Sequence, residues 1–285
     1  MTRTSASSDN RVTVYEPTVT GLPVLRRYVS DLWERRPFIW NVAVTKMKAE
    51  NYDTVLGQAW IVLAPLLMAA VYLLVRSVIR PIGSGSELTM LISYLIMSLF
   101  FFRYSAGSVN QGCNAILGNK KMINTTTFPR MVFPLAILVK AFLEFLPTLF
   151  VYLVLHAVLG QPMTATLVLV IPILILQTLF NFGLILFFGT VTVFFKDMKK
   201  FMSFLTRLWL FTSPIIYRVV EIPEHLFPWM KFNPMYWYIF ALEHAFHGTW
   251  PTVGLMLMLA VWAVPVFVIG AVIFMLKERD FATRF

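Results

Sequence analysis

At 285 residues, with 58% hydrophobic side chains, 13% charged ones and a mean hydropathy of +0.73, the chain is too apolar for a soluble domain and reads as a polytopic membrane protein. Its formal net charge of +10 comes from short basic clusters beside apolar runs, which orient spans in a membrane and exclude nucleic acid as the expected partner. The single Cys113 can form no internal disulfide and reads as packing.

In chain order, residues 1–21 read as a disordered cytoplasmic tail, polar and Ser-rich from Met1 to Asn10, with no apolar core of a cleaved signal peptide. Residues 22–56 form a cytoplasmic amphipathic segment. In it Leu25, Tyr28, Val29, Leu32 and Trp33 share one helical face, and Arg26, Arg27, Asp31, Glu34 and Arg35 take the other. The pattern predicts about three turns stopped at Pro37, either lying in the headgroup plane or packed on neighbouring cytosolic structure.

Residues 57–276 carry six predicted spans. They run over Gly57–Ile79, Leu88–Gly107, Phe133–Leu155, Leu167–Phe195, Phe201–Tyr217 and Pro251–Leu276, and residues 277–285 are a cytoplasmic tail. The fourth exceeds what a bilayer requires, which predicts tilt or an interfacial start. Six spans place both termini on one side. Seventeen Lys and Arg residues fall on that side and four on the other, so the termini are expected in the cytoplasm of a bacterial cell, with the chain in the plasma (inner) membrane.

Between spans five and six, Pro223 and the Asn233-Pro234 pair each read as a helix start, and Gly248 as a helix end. Two short re-entrant helices are therefore expected in an interval rich in rings: Tyr217, Phe227, Trp229, Phe232, Tyr236, Trp237, Tyr238 and Phe240. Irregular backbone at membrane depth is stable only where protein or water covers it, so the stretch reads as the outer mouth of a conduit. A sugar ring offers an apolar C–H face that aromatic side chains can pass along, while the plainer role of each ring is an interfacial belt or helix packing.

Arg103, Lys140, Glu144 and Arg207 lie within the spans. Lys140 and Glu144, one turn apart, are expected to neutralise each other, and Arg103 and Arg207 either face protein and water or snorkel to the headgroups. With Glu144 as the one clearly placed intramembrane carboxylate, ion-coupled transport is not expected. Glu243, His244 and His247 are the best grouping for catalysis or metal, set against an ordinary His pair at a helix C-terminus. No catalytic or metal-binding residue is assigned. Gly83-Ser84-Gly85-Ser86 lacks the residues of a phosphate-binding loop, so the chain is not expected to bind ATP.

Three motifs carry a resemblance to a family. The first is Leu56-Gly57-Gln58-Ala59-Trp60 followed by Pro65-Leu66, with Lys46, Lys48 and Tyr52 before it. The second is Asn119-Lys120-Lys121-Met122-Ile123 with Phe128-Pro129-Arg130 and Pro134. The third is Phe195-Lys196-Asp197, then Ser213-Pro214-Ile215-Ile216-Tyr217, Ile222-Pro223 and Asn233-Pro234-Met235. From about residue 22 onward the chain resembles the permease subunit of type-2 ABC exporters for lipid-linked polysaccharides, the Wzm-like permeases of O-antigen, teichoic acid and galactan export.

The resemblance implies a homodimer with a channel on its axis, paired with two copies of an ABC ATPase subunit that would hold ATP and Mg. Asn119, Lys120, Lys121, Met122, Phe128, Pro129 and Arg130 would then form the ATPase-coupling face, and the amphipathic helix an interface helix. The eight rings would line the exit and its gates. Lys46, Lys48 and Arg130 would meet a pyrophosphate headgroup, a role that competes with simple positive-inside orientation. The cargo expected is a lipid-linked polysaccharide, with galactan favoured. A small-lipid or drug exporter and a membrane-embedded glycosyl or phosphosugar transferase are the alternatives.

Overall fold

The computed structural model describes residues 25–50, 52–79, 85–125 and 129–284, and among them there is no strand. A short amphipathic helix, α1 (Leu25–Glu34), and a second short helix, α2 (Arg36–Glu50), precede α3 (Trp60–Ile79) and α4 (Ser86–Gly112). Next come α5 (Lys120–Thr125), α6 (Val132–Val158), α7 (Val170–Phe194) and α8 (Met198–Thr212). The chain closes with α9 (Phe227–Met230), α10 (Pro234–Phe246) and α11 (Val253–Lys277). The expected tail over 1–21 and Phe128 of the coupling motif lie outside the described residues.

Five segments are long and apolar enough to cross a membrane: Gly57–Val78, Ser86–Gly112, Val132–Val158, Ala165–Phe194 and Val253–Phe281. The expected fifth span differs. Helix α8 has 15 residues, about 22 Å against the roughly 30 Å of a hydrocarbon core, and it ends at Thr212 because Pro214 removes a donor and the preceding Ser213 turns extended. The expected stop at Pro37 is a start instead: α1 ends at Glu34, and Pro37 occupies the first turn of α2, where its missing N–H costs nothing. The extended start of the fourth span is present as a 3-10 turn over Ala165–Leu169 ahead of α7.

Helix α4 is the axis of the bundle and is flanked by α3, α6, α7, α8 and α10. Its Tyr94, Leu95, Met97, Leu99, Phe100 and Phe101 are all buried. Helices α7 and α11 cross most closely, because Gly183 faces Gly270: a Cβ on Gly270 would lie 2.3 Å from the Gly183 carbonyl oxygen, and one on Gly183 2.5 Å from the Val266 carbonyl oxygen. Only glycine permits that approach, the device membrane helices use where apolar solvent gives them no hydrophobic drive to associate.

Both ends of the described chain meet at one end of the bundle. Tyr28 of α1 donates a 2.8 Å hydrogen bond to Glu278, and Phe281, in the segment expected as a free tail, is fully buried against Phe274 and Phe194. Helix α2 docks on the start of α6 through Ile39, Val132 and Ala136, with Phe38 edge-on to Phe133.

Candidate functional site

At the end of the bundle far from the termini, the segment between α8 and α11 is organised by Asn233. Its Oδ1 accepts from Trp209 Nε1 at 2.9 Å and from the Met235 amide at 3.0 Å, while its Nδ2 donates to the Thr212 carbonyl and Ser213 Oγ, both at 3.0 Å. All four hydrogen-bonding positions of the amide are filled. The expected cap of α10 is therefore also the tie that holds the end of α8 against the start of α10. Trp209 packs on Phe102 and Phe180, and Phe180 lies near the middle of α7. From there α10 climbs to the start of α7, where the Ala245 carbonyl accepts from Thr166 at 2.7 Å and Gly248, at φ +77°, closes the helix beside Thr164.

The eight expected gate rings separate into three environments. Trp229 and Phe232 are 75% and 74% exposed. Tyr217, Phe227, Tyr236, Trp237 and Phe240 pack together over Val219 and Ile222, with Tyr236 stacked on Phe240 at 5.9 Å and Trp237 Nε1 donating to the Lys231 carbonyl at 2.9 Å. Tyr238 is fully buried against Phe180 with its hydroxyl donating to the Leu176 carbonyl. It packs the bundle and lines no surface.

Beneath these rings lies a charge network that the motifs did not predict. Arg218 reaches Glu243 Oε1 through Nη2 at 2.7 Å and Nε at 3.2 Å, and its backbone amide donates to Glu221 at 3.1 Å. Arg76, at the far end of α3, pairs with the same Glu221 at 2.6 Å. Glu243 is thus committed to Arg218, while His244 Nδ1 and His247 Nδ1 each donate to the carbonyl one turn back, that of Phe240 and of Glu243. The three groups do not converge on one point, and among the described residues no group of three His, Cys, Asp or Glu side chains could hold a metal.

At the end bearing the termini, Asn119 accepts from Lys46 Nζ at 3.1 Å and donates to the Ala115 carbonyl. This fastens α2 to the α4–α6 connection. Burial, then the nearby Lys140 charge, holds the Lys46 ammonium below its usual range. Arg130 is held by Glu278, through a 2.5 Å bond from its amide and a guanidinium contact to the Glu278 carbonyl. Of the residues expected at a headgroup, Lys46 and Arg130 therefore already have partners, and Lys48 is exposed. Lys120, Lys121 and Met122 form an exposed face beside half-buried Pro129.

Lys140 does meet Glu144, at 3.0 Å, and it also donates to Glu50 at 2.5 Å and Gln111 at 2.8 Å. Glu50 and Gln111 carried no signal in the sequence, because partners 90 and 29 residues away meet only through the fold. These side chains close one end of a cleft of about 320 Å³ between α3, α4 and α6, and Arg103 lies along it. Arg103 makes no hydrogen bond or ion pair among the described residues and is exposed. A charge left inside a span costs about 2.5–3.5 kcal/mol at the bilayer centre, so it has to face water, protein or a ligand.

Comparison with known proteins identifies the setting of this geometry. The family model for the ABC-2 type transporter matches residues 47–247. The chain is 30% identical over 191 residues to an O-antigen export system permease protein RfbA of Klebsiella pneumoniae, covering 66% of this chain and 72% of that one. It is 26% identical over 198 residues to the Myxococcus xanthus protein of the same name, covering 70% of this chain and 75% of that one.

Proposed function

The chain belongs to the ABC-2 type transporter family, a membrane permease that works with an ATPase partner, and from that premise we propose that it exports a lipid-linked polysaccharide, with galactan the candidate cargo. The observation that carries the reading is the alignment, over two thirds of the chain, with permeases named for O-antigen export. Two copies of the chain form a channel on their shared axis, and two copies of a separate ATPase subunit hold ATP and Mg and supply the work. This chain itself binds neither.

Six crossings are supported by the meeting of Tyr28 with Glu278 at one end, since an even number of crossings returns the chain to the side it started from, and cytoplasmic termini by the seventeen Lys and Arg residues on that side against four on the other. In that arrangement α8 rises half-way, α9 dips back, and α10 climbs from the level of Phe180 to the outer surface. The fifth crossing in chain order is thus shared between α8 and the re-entrant unit that Asn233 fastens together. The rings of that unit gate the exit, with Trp229 and Phe232 the two best placed to meet a passing glycan. Residues 57–276 form the transport domain, 22–56 the interface segment, and residues 119–130 the face on which the ATPase pushes, all in the inner membrane.

The test is to purify the tagged chain gently from its host, identify the co-purifying subunit, and measure its ATP turnover with and without lipid-linked glycan. A nucleotide-binding subunit in equal number, stimulated by the glycan, is the expected result. Purification of the chain alone, or turnover indifferent to glycan, overturns the proposal.

A further inference from the structure

The cleft between α3, α4 and α6 is unlike the rest of the bundle interior, because it combines a free cation, two carboxylates and an exposed indole. Arg103, Gly107 and Gln111 follow one another at four-residue spacing on α4, so they share a face and span about 12 Å along the cleft. Trp60, the first residue of α3, is 37% exposed and lines the same cleft. At the end near the chain termini, Glu50 and Glu144 flank Lys140 at 2.5 and 3.0 Å, and Gln111 joins both by accepting from Lys140 and donating to Glu144 at 3.3 Å.

We propose that this cleft is a binding site for a phosphorylated sugar, with Arg103 taking the phosphate and Trp60, Glu50 and Glu144 taking the ring. The chemistry excludes the simpler occupants. Lys140 Nζ already fills the position between the carboxylates where a metal cation would sit, so their remaining lone pairs are free to accept from hydroxyl groups. A lipid tail would leave Arg103 desolvated without a partner. The planar guanidinium fork fits a phosphoryl group bidentately, and an indole face suits the C–H side of a pyranose. The assignment deepens the proposed export function and rests on it for the origin of the sugar.

Gly107 supplies the means of testing it. A Cβ there would meet no atom within 4 Å, so the space above its backbone is open cleft, and a larger side chain at that position fills the site without entering a packed face. The full chain in phosphatidylcholine nanodiscs should bind galactose 1-phosphate more tightly than inorganic phosphate. Arg103→Gln should weaken that binding about tenfold, and Gly107→Leu should abolish it. Elution volume and Tm establish that each variant is folded.

Unaltered binding in folded Gly107→Leu overturns the assignment, as does absence of binding to the parent chain. Inorganic phosphate binding as tightly as the sugar phosphate reduces the site to an anion pocket and overturns the sugar. Loss of binding when phosphatidylglycerol is added to the nanodiscs makes a lipid headgroup the occupant, with the same consequence. The assay needs neither ATPase nor transport, so it is separable from the export reading. Cells that export glycan normally with Gly107→Leu keep that reading and sink the cleft, while binding by a chain that exports no glycan does the reverse.

Discussion

Asn233 joins two elements that are otherwise held by apolar contact, and its cost of removal is correspondingly larger than that of an ordinary cap. Replacing an N-cap asparagine with alanine costs about 1 kcal/mol, and the stranded donor of Trp209 and carbonyl of Thr212 add to it. Asn233→Ala should therefore destabilise the purified chain by about 2–3 kcal/mol, read as a fall in Tm, with proteolysis appearing first between Ser213 and Lys231. Glu243 gives a second test at this scale. Glu243→Ala leaves Arg218 largely buried without its partner and should cost about 3 kcal/mol, whereas removing both charges in Arg218→Leu with Glu243→Leu should recover most of that loss. If Glu243 were a catalytic group, the double variant would regain stability and no function; recovery of export together with stability would establish the ion pair as structural. The sequence placed Glu243 beside two histidines. It could not show that Arg218, 25 residues away, had claimed it.

Helices pair here through two different devices, one of shape and one of charge. At the α7–α11 crossing, a methyl group on Gly270 would press within 2.3 Å of a backbone oxygen, and because neither helix can shift without opening the core, Gly270→Ala should cost about 2–3 kcal/mol. The same change at Gly107, where the space is open, should be neutral or slightly stabilising, so the pair separates crowding from the general effect of losing a helix glycine. The tie between α2 and α6 depends on charge. Burial pushes the Glu50 carboxyl up, but its hydrogen bond to Lys140 and the Lys140 charge outweigh that and hold it below the usual carboxylate range. A carboxyl depressed by folding contributes stability above its unfolded value and loses it as pH falls through the lower folded value. Protection of the last turn of α2 against hydrogen exchange should accordingly stay level from neutral pH down to about pH 5 and fall below about pH 4.5. Glu50→Gln should show the lower protection at every pH. Lys46 acts in the same direction by another route: its ammonium is disfavoured by burial on folding, so raising the pH through its lowered value relieves a cost and loosens nothing.

For the whole molecule, topology is the decisive test, and the buried Cys113 leaves a quiet background for it. Cysteines placed at Gly160, Trp229 and Phe232 should react with a membrane-impermeant maleimide in intact cells, and those at Lys120, Lys199 and Glu278 only after permeabilisation. Labelling of Lys199 and Trp229 from the same side would refute the shared crossing of α8 and α10. Much of this organisation was present in the sequence. The apolar runs of α3, α4, α6, α7 and α11 were legible because a span must be long and continuously apolar whatever it packs against. The Asn233-Pro234 start and the Gly248 end of α10 were legible because caps act within a turn of their own residue. The end of α8 was missed although Pro214 marks it locally, since the run Phe201–Tyr217 stays apolar past Ser213-Pro214 and hydropathy alone carries a span through it. Pairings at long range were hidden for a different reason: composition and periodicity report what a residue needs, while Lys140 with Glu50, Arg218 with Glu243, and the open cleft beside Arg103 depend on which segments the tertiary fold brings within a few ångströms.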